Sequence, residues 1–445
     1  MTNPNLLITG ATLPDGTRSD ILIEGTQITA VGSGLSSAHA EKIDADGLVV
    51  LPGLVDLHTH LREPGYEQSE TVLTGTQAAA LGGFTSVFAM ANTLPVADTA
   101  GVVEQVLRLG SEAGYATVRP IGAVTKGLEG VQLAELGAMA NSRAQVRVFS
   151  DDGKCVFDPL IMRRALEYVK TFGGVIAQHA QEPRLTVDAQ MNEGEVSARL
   201  GLAGWPAVAE ESIIARDVLL AEHTGSRLHI CHLSTAGSVD VIRWAKKRGI
   251  NVTAEVTPHH LLLTDERAES YDARFKVNPP LRRQEDVLAL REALADGTID
   301  IVATDHAPHP VETKDCEWGA AAFGMVGLES ALAVVHTTMV ETGLIGWKDV
   351  ARVLSEAPAR IGGLASHGHA ITPGVQAELV LVDPTTRRNF GVDDLASLSH
   401  NTPYLGVELS SQVVATIHQG YLTASNRAIV DAESVAARAQ AVLRG

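Results

Sequence analysis

Cysteine is scarce in this chain. Cys155, Cys231 and Cys316 stand far apart, and no C-x-x-C spacing occurs. An odd, scattered set argues against a disulfide framework and against a thiolate zinc site, and it suits a reducing compartment, here the cytoplasm. Long apolar runs are also missing. With no stretch of about 18 uninterrupted apolar residues, no membrane span is expected. The opening residues, MTNPNLLITG, lack the basic start and apolar centre of a secretion signal. Basic residues are outnumbered: 35 Lys and Arg against 53 Asp and Glu leave a net charge of −18. The longest cationic cluster, Lys246-Lys247-Arg248, suits the end of a helix. So acidic a chain, with no basic stripe, is a poor match for a phosphate backbone, and no nucleic-acid partner is expected.

The chain has 445 residues, 45% of them apolar and 20% charged, and a mean hydropathy of +0.09. That is the composition of a globular protein able to bury a large core unaided. Both ends read as short strands separated by turns. Leu6–Ile8, Ile21–Ile23, Ile28–Val31 and Leu48–Val50 lie at one end, Glu378–Asp383 and Val413–Ile417 at the other. A last helix is expected over Asp431–Leu443. We expect residues 1–51 and 369–445 to form one small β-sandwich domain and residues 52–368 to form another unit.

In that unit, apolar β-branched runs alternate with helical stretches. The runs are Leu54–Leu57, Thr85–Ala89, Val118–Val124, Gln145–Phe149, Gly174–Ala177, Arg227–Cys231, Asn251–Val256 and Ile299–Ala303. Between them Glu70–Leu81, Pro159–Phe172, Glu210–His223, Ser238–Arg248 and Gln284–Leu294 carry helical spacing. Eight near-continuous apolar strands separated by helices point to an α/β fold, a (β/α)8 TIM barrel. A doubly wound open sheet is the competing architecture.

Five of these strands end in residues that bind metals: His58 and His60; Asp151 or Asp152; His179; His232; and Asp305. In a barrel such ends converge on one face. Residues i and i+2 of a strand share a side, so His58 and His60 point together. One histidine at a strand end is more often structural than a ligand; five such ends together are not expected by chance. Imidazoles and carboxylates suit zinc, and six ligands allow one or two metals, with Asp151 as bridge.

The phrase Pro52–His60 with Ala303-Thr304-Asp305-His306 resembles the amidohydrolase superfamily. His60–Gly65, Met90–Thr93, Phe149–Gly153, Asn278–Arg282, Asp305–His309 and Phe323–Glu329 narrow the resemblance to the longer, type I dihydroorotases, over about residues 5–425. The resemblance implies metal ligands at His58, His60, Asp151, His179, His232 and Asp305, the motif favouring Asp151 over Asp152. It implies substrate contacts at Arg62, Asn92, Asn278, His309 and the Phe323-Gly324 backbone. Hydantoinases, dihydropyrimidinases and type II dihydroorotases are similar but carry a carbamylated lysine after strand four; here Ser150-Asp151-Asp152 stands there, and Lys154 lies too far on.

The implied reaction is the reversible closure of N-carbamoyl-L-aspartate to (S)-dihydroorotate in pyrimidine (UMP) synthesis. A metal lowers the pKa of bound water from about 16 to about 7, which provides hydroxide as nucleophile, and polarises the ring carbonyl. Asp305 is the expected proton carrier. Arg62 can grip the substrate carboxylate in a bidentate fork, and Asn92 and His309 can donate to it; the bland readings are a salt bridge for Arg62 and a surface loop for His309. A homo-oligomer is expected, with an aspartate transcarbamoylase as a partner to test for. Another cyclic-amide hydrolase, such as an allantoinase or hydantoinase, and a non-catalytic partner of the transcarbamoylase are the alternatives; the latter typically lose ligands that this chain keeps.

Other residues read as bystanders. His259 and His260 are expected to be structural or to support the site, Cys231 and His229 to face packing, and His306 to orient its neighbours. His39, His223, His336, His367, His369, His400 and His418 read as surface or loop residues. Gly82-Gly83 reads as a helix-to-strand turn. The segment Pro308–Phe323 reads either as a mobile loop over the site or as a plain surface loop.

Overall fold

The structure, a computed structural model, describes residues 5–430 and Val435. The helix expected over Asp431–Leu443 therefore lies, but for Val435, outside the described residues.

All eight expected barrel strands form, and their ladders are parallel. Leu54–Thr59, Phe84–Ala89 and Thr117–Pro120 make one arc. Val148–Phe149, Val175–Gln178, Arg227–Ile230, Val252–Val256 and Ile301–Val302 make the other. Two parallel bridges join the arcs, Gly122 to Phe149 and Thr59 to His306. The sheet therefore closes, which the open-sheet alternative does not do.

Burial on both faces explains the unbroken apolar runs. One cluster draws Val55, Phe88, Val148, Val175 and Ile301 together from five strands, with Ile121 and Cys231 from just past the ends of two more, which only a barrel interior permits. A second packs Leu54, Val87, Val118, Ile176, Leu228 and Val302 against helix residues such as Val103, Leu166, Val218, Ile242 and Leu290. The five expected helices appear as Val72–Leu81, Pro159–Lys170, Val208–Thr224, Ala236–Lys247 and Gln284–Asp296. Their starts follow local chemistry: Asp158 accepts from the N–H groups of Leu160 and Ile161, with Pro159 at the first helical position.

The two chain ends build one nine-stranded sheet. Asn5–Thr12 pairs with Arg18–Glu24, and Val49–Pro52 runs antiparallel to Leu379–Asn389. The sheet forks at Asn5–Thr12, which pairs with Ala40–Asp44 along most of its length and with Val49–Pro52 only at Thr12. Gly53 alone separates Val49–Pro52 from the first barrel strand. A Cβ there would lie 2.3 Å from Thr85 Oγ1, so the crossing between sheet and barrel requires glycine.

Three histidines read as surface or loop residues are buried. His336 stacks on Trp347 at 5.1 Å. His367 and His418 flank Glu378 where sheet meets barrel. Sequence spacing shows no partner for them because Glu378 lies on neither segment.

Candidate active site

The strand ends meet as a buried cluster of imidazoles and carboxylates. Asp152 is its hub. Its Oδ2 lies 3.4 Å from His58 Nε2 and 3.2 Å from His60 Nε2. Its Oδ1 lies 3.3 Å from both His179 Nδ1 and His232 Nε2. Asp305 closes the first lobe, 3.1 Å from His60 Nε2 and 3.4 Å from His58 Nε2. The donor atoms form two groups that could each hold a metal: His58, His60, Asp152 and Asp305; and Asp152, His179 and His232.

Asp151 does not join them, and the assignment favoured by the motif is corrected here. Its carboxylate accepts from the N–H groups of Val124 and Thr125, at 2.8 and 3.0 Å, and from the Thr125 hydroxyl. The fourth strand stops at Phe149, and a turn begins in which the Asp152 N–H donates to Ser150 Oγ. Strand alternation no longer governs side-chain direction there. Burial raises the Asp151 carboxyl to about 6 against those hydrogen bonds. Lys154 is exposed.

Electrostatics mark the first lobe as a place for positive charge. Burial opposes a proton on His58, but Asp152, Glu255 and Asp305 outweigh it and raise that imidazole well above its usual range. Burial also works against charge on Asp305, yet His58 and His60 hold its carboxyl down to about 2. A cation can stand in the proton's stead, since ligands bind metals deprotonated. His58 Nε2, buried and without a hydrogen bond, faces this lobe.

Further residues hold the cluster in place. Glu255, on the seventh strand, binds His58 Nδ1 at 2.6 Å and leaves Nε2 for the lobe. Its other oxygen takes His229 Nε2 at 2.9 Å, and it also accepts the His232 N–H. Glu255 was not read from the sequence, although a lone acid inside the run Val252–Val256 was a signal for it. Asn92 Oδ1 meets His60 Nδ1 at 2.9 Å. Gln181 Oε1 lies 2.8 Å from His179 Nε2 and accepts from Asn278 Nδ2 at 3.2 Å. His306 supports the site at one remove: its Nδ1 accepts from Gly327 N, and its Nε2 faces Glu70. Arg62, His232 and Asp305 all hold positive φ, at 63°, 32° and 49°. Such backbone is uncommon outside glycine and clusters at functional sites.

Of the expected substrate residues, Arg62, His309, Phe323 and Gly324 form one connected wall, while Asn92 meets His60 and Asn278 meets Gln181. Arg62 is half-buried, and its Nε donates to the Pro308 carbonyl. Burial lowers the guanidinium to about 10, which leaves it a cation near neutral pH. Its Nη2 lies 3.3 Å from His309 Nε2. Burial and that cation push His309 down to about 3, so the imidazole is neutral. His309 Nε2 lies 2.8 Å from the Phe323 carbonyl. Asn278 keeps a buried Oδ1 with no partner. Both polar backbone atoms of Gly324 are engaged, its N–H by the Lys276 carbonyl and its carbonyl by Asn401 Nδ2.

A family model described as Dihydro-orotase-like matches residues 47–238. A dihydroorotase of Leifsonia xyli subsp. xyli is 73% identical over 431 residues, covering 97% of this chain and 98% of its own. The chain belongs to the dihydroorotase family. Further dihydroorotases, of Streptomyces coelicolor and Mycobacterium tuberculosis, are 69% and 56% identical over 94% and 92% of this chain, and over 97% and 96% of their own. Among solved structures, the L-hydantoinase (dihydropyrimidinase) of Arthrobacter aurescens superimposes with a TM-score of 0.85 at 24% identity, covering 97% of this chain and 98% of its own. A dihydropyrimidinase of Brevibacillus agri gives 0.82 at 24%, with 96% of each chain covered. Those likenesses support the barrel-and-sheet fold that this dihydroorotase-family chain adopts. No helix among its described residues is long and apolar enough to cross a membrane.

Proposed function

We propose that this chain reversibly closes N-carbamoyl-L-aspartate to (S)-dihydroorotate with loss of water, in pyrimidine synthesis. The observation that carries the reading is the meeting, in one mouth, of a buried two-lobed His/Asp cluster and a half-buried guanidinium beside it. His58, His60, Asp305 and one oxygen of Asp152 would hold one divalent ion, zinc by the donor types, and His179, His232 and the other oxygen a second. Such ions, when bound, acidify water and polarise a carbonyl.

The chain's own groups do the rest. Arg62 binds the substrate carboxylate in a fork, with Asn92, Asn278 and His309 beside it and Phe323-Gly324 shaping the wall. In ring opening, Asp305 accepts the proton of the attacking water and passes it to the ring nitrogen as the C–N bond breaks. In closure it takes the nitrogen's proton and gives it to the departing water. Residues 52–368 carry this chemistry in our reading, in a cytoplasmic, homo-oligomeric enzyme, with a transcarbamoylase as partner to be tested.

The test joins metal content to turnover. Zinc is quantified per chain, and loss of dihydroorotate absorbance is followed with and without a chelator. Zinc near one or two per chain with chelator-sensitive hydrolysis is expected. Bound metal with turnover only of hydantoin or allantoin would overturn the substrate assignment. No metal, and no turnover even with added transcarbamoylase, would overturn the enzyme reading.

A further inference from the structure

Lys276 and Lys314 are buried, 1% and 7% exposed, and among the described residues neither touches a carboxylate. Each amine is capped by backbone carbonyls instead. Lys276 Nζ donates to Trp318 O at 2.6 Å and Gly319 O at 3.3 Å. Lys314 Nζ donates to Ala322 O at 2.8 Å and Lys276 O at 3.1 Å. The same Lys276 carbonyl takes the Gly324 N–H at 2.9 Å. Lys276 Nζ also sits 4.4 Å from the centre of the Phe323 ring, a cation–π distance.

Burying an amine with no carboxylate in contact is costly; burial lowers Lys276 to about 8 and, against the pull of Asp272, Lys314 to about 7. A plain surface loop gives no reason for that cost. The four carbonyls share a different property: they belong to the loops after the seventh and eighth strands, which hold Asn278, His309, Phe323 and Gly324. The segment Pro308–Phe323 is thus neither a free flap nor a plain surface loop; it includes a helical turn, Val311–Lys314, and is tied at both ends of its path. Each amine serves two acceptors, as many as an uncharged amine can, so the ties hold in either charge state.

We propose that Lys276 and Lys314 are positioning residues that lace these two loops together and so set the wall that receives the substrate carboxylate. The proposal rests on the site reading given above. It makes the lysines determinants of substrate affinity without contact to substrate. Gly324 shows how tight the wall is: at φ 141°, a Cβ would fall 2.8 Å from His309 Nε2. A displacement of about 1 Å in such a wall is enough to cost up to about a hundredfold in rate.

Lys276→Met and Lys314→Met keep the stems and remove the donors. In the metal-loaded enzyme each is expected to raise KM for dihydroorotate at least about tenfold, with kcat within about threefold and metal content unchanged. Lys314→Gln, which restores two donors, is expected to recover part of the KM. Unchanged KM in both methionine variants would overturn the proposal, whatever happens to thermal stability; a merely structural role would lower stability or the active fraction and leave KM alone. Hydrogen exchange of residues 311–324 tests the lacing apart from the reaction. Faster exchange there in Lys314→Met, with the barrel strands unaltered, is expected, and unaltered exchange would sink the lacing even if wild-type protein turned over a different substrate.

Discussion

Asp152 sends one carboxylate oxygen toward His58 and His60 and the other toward His179 and His232, whereas Asp151 spends both of its own on the loop after the third strand. The two neighbours therefore fail differently when neutralised. Asp152→Asn is expected to lose bound metal and turnover together, because it removes the one charge that both lobes share. Asp151→Asn is expected to keep its metal, and to lose about 1–3 kcal/mol of stability through weaker acceptance of buried N–H groups. Metal analysis and urea unfolding of the two variants separate these outcomes. At this scale the sequence narrowed the hub to two residues and favoured Asp151, which the structure turns away from the cluster, since the choice lies in a turn. His309 was legible in place but not in charge. Its pKa of about 3 lies below the ordinary imidazole value, so it stays uncharged at all higher pH. His309→Asn is therefore expected to raise KM and leave the acid limb of the kcat/KM profile unmoved between about pH 5 and 8; a limb lost with the histidine would contradict this.

The seventh strand contributes no donor to the two lobes, yet it sets the direction of one. Glu255 stands in it between Ala254 and Val256, both fully buried, with its carboxylate on His58 Nδ1, His229 Nε2 and the His232 N–H. His58 and His229 hold that carboxyl far below its usual range against the pull of burial. An acid held ionised there fixes which nitrogen of His58 faces the lobe. Glu255→Gln is expected to weaken metal affinity by about 10–100-fold with secondary structure retained, read by competition with a chelator; unchanged affinity would assign Glu255 to packing alone. Elements were the most legible level, because strands buried on both faces write their length as apolar runs. What those runs hid was any polar residue whose partner sits on another strand. Glu255 and His229 face each other across the sixth and seventh strands, and no spacing along the chain encodes that.

Across the whole molecule, the sheet built from both chain ends meets the barrel at two levels. At the lower level Glu378 lies beside the starts of the first two strands. It binds His418 Nδ1 at 2.9 Å and accepts the Gln419 N–H, its carbonyl accepts the Gly53 N–H, and His367, 3.6 Å away, reaches the Thr85 carbonyl. These three side chains have the look of a metal cluster, but Glu378 is engaged by His418 and Gln419, and His367 by Ser366 and the Thr85 carbonyl, the last contact joining sheet to barrel. At the upper level Asn401, on the connection between Leu379–Asn389 and Glu408–His418, reaches the mouth. It accepts the His309 N–H at 3.0 Å and donates to the Ala307 and Gly324 carbonyls. Strand starts in such barrels serve stability, and strand ends serve chemistry. Two substitutions in one sheet-forming region should therefore part company. Glu378→Ala leaves buried donors unpaired and is expected to cost about 1–3 kcal/mol for each, with kcat/KM of the folded enzyme unchanged. Asn401→Ala is expected to raise KM severalfold, because His309 and Gly324 lose the residue that spans them, while its stability loss stays within the same range. Urea unfolding and steady-state kinetics on both variants measure the contrast. If Glu378→Ala changed KM as much as Asn401→Ala, the two levels would be mechanically one, and the wall of the mouth would be set by the whole sheet rather than by the residues that touch it.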